Sequence, residues 1–80
     1  MMDVLEEIKK AICKVHPGVD DSKITSGALL KEDLEIDSLG QVELVLALED
    51  ALDLYLPDEE LDGIATVGDI VSLVESKLNG

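Results

Sequence analysis

Asp37, Ser38 and Leu39 are the residues best placed for chemistry, within the run EDLEIDSLGQVELVLALED from Glu32 to Asp50. A serine becomes a nucleophile only when a base takes its proton. The flanking Ile36-Asp37-Ser38-Leu39-Gly40 lacks the glycines of a nucleophile elbow, and His16, the single imidazole, has no triad context. These residues therefore argue against a serine hydrolase, and if Ser38 does chemistry another enzyme must activate it. As a helix cap, Ser38 forms a capping box with Gln41 worth about 1 kcal/mol. Asp37 caps equally well, which releases the Ser38 hydroxyl into the first turn. A phosphate ester on that hydroxyl would lie at a helix N-terminus, where free N–H groups and the dipole favour an anion.

Other reactive side chains carry less. Cys13 is single, so it forms no intramolecular disulfide, and no base near it in sequence activates it. His16 reads as a residue at a helix C-terminus that complements the dipole. Asp58, Glu60, Asp62, Gly63 and Asp69 occupy positions 1, 3, 5, 6 and 12 of an EF-hand-like calcium loop. Glu60 is long for its place, Asp69 is short for its own, and Pro57 interrupts the incoming helix. Weak binding of cations that relieve acidic repulsion is the plainer expectation.

The elements that would position Ser38 follow from periodicity. Asp3 with Glu6 has capping-box spacing, and Leu5, Ile8, Ile12 and Val15 recur at helical steps, giving a helix from about Asp3 to Val15 closed by His16, Pro17 and Gly18. From Val19 to Asp37 the apolar residues Val19, Ile24, Leu29, Leu30, Leu34 and Ile36 are irregular, as in a long loop pinned to a core. The next helix has two apolar stripes. Leu44, Val45, Leu48, Ala51 and Leu52 make a core stripe, while Leu39, Val42 and Leu46 make a second one bordered by acids, which reads as an exposed docking strip. Asp58 to Asp62 allows a short helical turn ending at Gly63. Thr66 with Asp69 is another capping box and opens a helix to about Leu78, with Val67, Ile70, Val71, Val74 and Leu78 inward and Asn79 and Gly80 closing it.

The expected fold is an all-α bundle of four helices, three longer and one short, with a long loop between the first and second, forming one domain over residues 1–80. Its core must be aliphatic, because Tyr55 is the only aromatic. A net charge of −13 argues against nucleic acid and anionic lipid and in favour of cationic protein surfaces. No basic residue lies between Lys31 and Lys77, although Glu32, Asp33, Glu35, Asp37, Glu43, Glu49, Asp50, Asp53, Asp58, Glu59, Glu60 and Asp62 all do. An unrelieved acidic surface beside an apolar strip suits fast, reversible association with basic partners, whose Lys and Arg would meet Glu43, Glu49 and Asp50. No apolar run approaches a membrane span and the Met1 to Glu7 start is acidic, so a soluble, cytoplasmic monomer without membrane insertion is expected.

The run EDLEIDSLGQVELVLALED together with LPDEELDGIATVGDIV resembles acyl carrier proteins, and the likeness covers nearly the whole chain. The resemblance implies a protein without catalysis of its own that carries acyl groups as thioesters on a 4'-phosphopantetheine arm. It implies that Ser38 is the attachment serine, flanked by Asp37 and Leu39, and that a phosphopantetheinyl transferase loads it from coenzyme A. It also implies that Val42, Glu43, Leu46, Ala47 and Asp50 face acyl-transferring and chain-elongating enzymes. Leu44, Val45, Leu48, Ile64 and Ile70 would border a space that shelters the acyl chain. Glu35 stands where many members have glycine, Gly40 where fatty-acid carriers often have an acid, and Leu52, Leu54 and Tyr55 replace a phenylalanine region. Fatty-acid, specialised lipid and polyketide synthesis all remain open, as does an aminoacyl or peptidyl carrier. Gly40 is read either as room near the arm or as drift.

Overall fold

The computed structural model describes residues 3–79, so the expected closing role of Gly80 lies outside it. Four helices follow in order: α1 (Val4–Val15), α2 (Ser38–Leu52), α3 (Asp58–Leu61) and α4 (Val67–Asn79). The fold is a small all-α bundle in which α1 packs against both α2 and α4. No helix among the described residues is long and apolar enough to cross a membrane.

The first helix starts and stops as its sequence dictates. The Asp3 carboxylate accepts the Glu6 N–H at 3.4 Å, and the chain leaves at His16, whose N–H still reaches the Ile12 carbonyl at 2.7 Å. Pro17 allows no further turn. Val4, Ile8, Ala11 and Ile12 bury their stripe against Leu44, Leu48 and Val74 in one aliphatic core. Full burial of such a side chain is worth about 1.5–3 kcal/mol, which makes this core the main source of stability in so small a chain.

The segment between α1 and α2 is less irregular than its sequence suggests. It contains a 3-10 turn (Asp21–Lys23) capped by Asp20, whose carboxylate accepts the Ser22 N–H at 3.0 Å and hydroxyl at 2.8 Å. Farther on it is clasped to the start of α4: Leu29 bridges Thr66, the Leu30 N–H donates to the Ala65 carbonyl at 2.9 Å, and Val67 donates to Ala28 at 3.0 Å. Ile24, Ala28, Leu30, Leu34 and Ile36 are buried and pin it. Leu29, expected among the pins, is exposed instead, because neighbours on an extended bridge point to opposite sides and Leu30 takes the inward one. Glu35 adopts φ of 56°, a left-handed conformation for which glycine is the unstrained choice, so the backbone fits the family's glycine and nothing in the structure explains the glutamate.

In α2 the stripe Leu44, Val45, Leu48 and Leu52 is buried as expected. Ala51 is exposed, since it falls on the last turn at the margin of that stripe. The helix stops at Asp53, left-handed at φ of 55°. In α4, Val67, Ile70 and Val74 point inward and Val71 is half-buried, whereas Leu78 lies in the last turn and is exposed.

Candidate functional site

Two good caps compete at the start of α2, and the structure separates them. Asp37 is the N-cap, with extended backbone and a carboxylate oxygen that accepts the Gly40 N–H at 2.8 Å. Ser38 is thereby moved into the first helical position, where its side chain is exposed and makes no hydrogen bond among the described residues. The capping box of Ser38 with Gln41 does not form, because Ser38 already lies inside the helix and the Gln41 N–H it would need donates to the Asp37 carbonyl at 2.8 Å. An accessible, uncommitted hydroxyl beside free first-turn N–H groups is suited to carry an anionic ester.

What lies behind that first turn could not be read locally. The His16 ring packs against Gly40, so closely that a Cβ at position 40 would sit 2.5 Å from Nε2 and 2.7 Å from Cε1. Gly40 is thus glycine to admit the imidazole, which corrects the expectation of room for the arm. His16 caps the C-terminus of α1 as expected, and its ring also backs the N-terminus of α2, with Nε2 buried and unpartnered among the described residues.

A groove of about 330 Å³ runs from Ser38 between the loop and the turn before α4, with Leu30, Ile36 and Ile64 in its walls and Lys31 and Gln41 at its edges. Of the five residues assigned to an acyl shelter, Leu44, Val45, Leu48 and Ile70 lie in the closed core, and only Ile64, half-buried, lines this groove. Val45 also borders a second groove of about 270 Å³ beneath Tyr55, with Val42, Leu46 and Leu56. The structure therefore brings Ile64 to Ser38 and keeps the other four packed behind it.

The second stripe of α2 is on the surface: Leu39 is 68% exposed, Val42 52% and Leu46 59%. Glu43 and Asp50 are exposed beside it. Ala47 is half-buried and packs against the core, so it contributes less surface than expected. Glu49, expected to meet partner cations, is turned inward, and its carboxylate accepts the Leu56 N–H at 2.8 Å. That bond satisfies a loop donor. Tyr55, 73% exposed next to the strip, was not singled out for docking, and only its lone aromatic character could have drawn notice.

The EF-hand-like alternative is overturned. Asp58 and Glu60 lie in the helical turn α3 and not in a loop, Glu60 pairs with Lys77, and the Asp69 carboxylate accepts the N–H groups of Ala65 and Thr66 at 2.9 and 3.0 Å. These two bonds, that from Ala65 foremost, hold the Asp69 carboxyl below its ordinary range. No group of three or more His, Cys, Asp or Glu among the described residues is arranged to hold a metal ion.

An exposed serine behind an aspartate cap, on a helix of a small all-α bundle, is compatible with a carrier domain. The family model described as phosphopantetheine attachment site matches residues 5–74, and the chain belongs to that family. Members bear 4'-phosphopantetheine covalently on a carrier domain.

Proposed function

We propose that Ser38 is the attachment residue and that the protein carries acyl intermediates between enzymes of fatty-acid, specialised lipid or polyketide synthesis. The observation that carries this reading is the division of labour at the α2 start: Asp37 caps, which leaves the Ser38 hydroxyl exposed and uncommitted. Ser38 Oγ attacks the coenzyme A diphosphate at the phosphorus next to pantetheine. The new P–O bond would form as the P–O bond to adenosine 3',5'-bisphosphate breaks, and the hydroxyl proton would pass to a base of the transferase, which would use magnesium to offset the phosphate charge. Once attached, the arm supplies a terminal thiol that holds acyl groups as thioesters.

The chain's own residues supply position and shelter. Asp37 fixes the first turn, His16 supports it from behind through Gly40, and Leu30, Ile36 and Ile64 give the otherwise polar groove an apolar side for a hydrocarbon cargo. Deeper shelter requires α2 to part from the Ile64 segment, exposing Leu44, Leu48 and Ile70 to the chain. Partner enzymes with basic surfaces would cover Leu39, Val42 and Leu46 and meet Glu43 and Asp50 at the rim. The rim charges steer encounter while the apolar strip holds the complex.

Incubation with coenzyme A, magnesium and a broad-specificity transferase should add one phosphopantetheine to the wild type by intact mass and none to Ser38→Ala. Modification of the Ser38→Ala variant, or none of the wild type across several transferases, would overturn the assignment.

A further inference from the structure

The groove beside Ser38 holds one cation whose role nothing above accounts for. Lys31 is exposed at its edge, and the three ion pairs among the described residues engage Lys9, Lys10 and Lys77 and leave Lys14, Lys23 and Lys31 unpaired. Of those three, Lys31 alone borders the groove beside Ser38, although Glu32 and Asp33 are its neighbours in sequence. Asp33 is otherwise occupied, since its carboxylate accepts the Leu29 N–H at 2.8 Å. The backbone around Lys31 is fixed: Leu30 is buried, donates to Ala65 and accepts from Ile36 at 2.8 Å. Its side chain is therefore free to reorient while its root is anchored at the edge of the groove.

Electrostatics supplies the role. An ester on Ser38 puts a permanent negative charge next to the Asp37 carboxylate, in a groove that Glu32 also borders. Asp37 already uses the Gly40 N–H, so the helix terminus has one donor fewer to offer. Between Lys23 and Lys77 the sequence contains no other basic residue than Lys31.

We propose that the Lys31 ammonium is the counter-ion of the phosphodiester on Ser38 and holds the root of the arm at the edge of the Ile64 groove. This rests on Ser38 being the attachment residue. Lys31 is a positioning residue: it restrains the anchored end of the arm and leaves the thiol end free to travel.

The test compares the apo and phosphopantetheinylated wild-type protein. Each is treated with limiting N-hydroxysuccinimidyl acetate, and acetylation at every lysine is followed by peptide mass spectrometry. Lys31 should react about two- to fivefold more slowly in the modified protein at low ionic strength, a difference that fades in high salt, while Lys14 and Lys23 react alike in both. The phosphodiester ³¹P resonance should move in Lys31→Gln and return towards the wild-type position in Lys31→Arg. Equal reactivity of Lys31 in the two forms, together with a ³¹P resonance indifferent to Lys31→Gln, would overturn the assignment of Lys31 alone. Failure of the wild type to gain the phosphopantetheine mass removes the Ser38 reading and the Lys31 proposal together.

Discussion

At the start of α4 the first-turn N–H groups are committed within the chain: Val67 donates to Ala28, Gly68 to Ser26 at 2.7 Å, and Asp69 to the Thr66 hydroxyl at 3.1 Å. At the start of α2 only Gly40 is taken by a side chain, and Ser38 and Leu39 donate to no acceptor among the described residues. Both starts have a capping acid and a glycine pressed against a neighbour. Gly68 meets the Ser26 carbonyl, with 2.8 Å from a built Cβ to the oxygen, whereas Gly40 meets the end of a histidine side chain. The capping acid therefore does not mark a site. A helix start becomes available for a ligand when the surrounding chain leaves its donors alone, and α4 has instead spent its donors on holding the loop.

Substitutions at the two glycines and the two acids probe this contrast. The largest effect is expected from Gly68→Ala, because the obstructing atom is backbone and cannot swing aside. Helix propensity favours alanine by roughly 1 kcal/mol, yet the overpacking should dominate and leave a net loss of about 1–3 kcal/mol in chemical denaturation. A stabilised Gly68→Ala variant would show that the clasp yields easily and that the two starts are alike. Next comes Asp37→Ala, which removes the only side-chain cap of α2 and should cost about 1 kcal/mol by the same measurement.

Gly40→Ala should be milder, within about 1 kcal/mol of wild type, since the imidazole can rotate away and the helix gains from alanine. Its signature is a displaced ring, read as a changed environment of the His16 ring nitrogens in ¹⁵N spectra. An unchanged His16 signal would argue against the contact. The smallest effect belongs to Asp69→Asn. Because the folded-state Asp69 carboxyl sits below its ordinary value of 3.8, its contribution is present above that value and is lost as pH falls through the lower folded one. The asparagine variant should lose less stability than wild type as pH drops below about 4, measured by thermal melting.

Local chemistry made much of this legible. The Asp3 cap of α1, the capping box of α4, the buried stripe of α2 and the exposed strip of Leu39, Val42 and Leu46 each depend on residues within two helical turns. The identity of the α2 cap was ambiguous because Asp37 and Ser38 are both strong caps, and only the conformation of the incoming chain decides between them. His16 against Gly40, Ser26 against Gly68, and Glu49 reaching Leu56 join residues whose separation no periodicity encodes. Their partners had to be seen in space. Leu29 and Ala51 misled for a smaller reason: an apolar type at the edge of a pattern does not say which side of the boundary it falls on.

The clasp between residues 26–30 and 65–68 has a consequence for how the molecule breathes. It closes the chain into a ring that encloses α2 and α3, with three backbone bonds, donated by Leu30, Val67 and Gly68, acting as its buckle. Amide protons at the buckle should exchange with deuterium only when the whole ring comes undone, whereas those near α3, held by short-range bonds such as Glu60 to Pro57, should exchange through small local openings. Gaps in the wall of the bundle can therefore form and reseal around α3 while the ends of the ring stay fastened, so the molecule can open at its side without beginning to unfold.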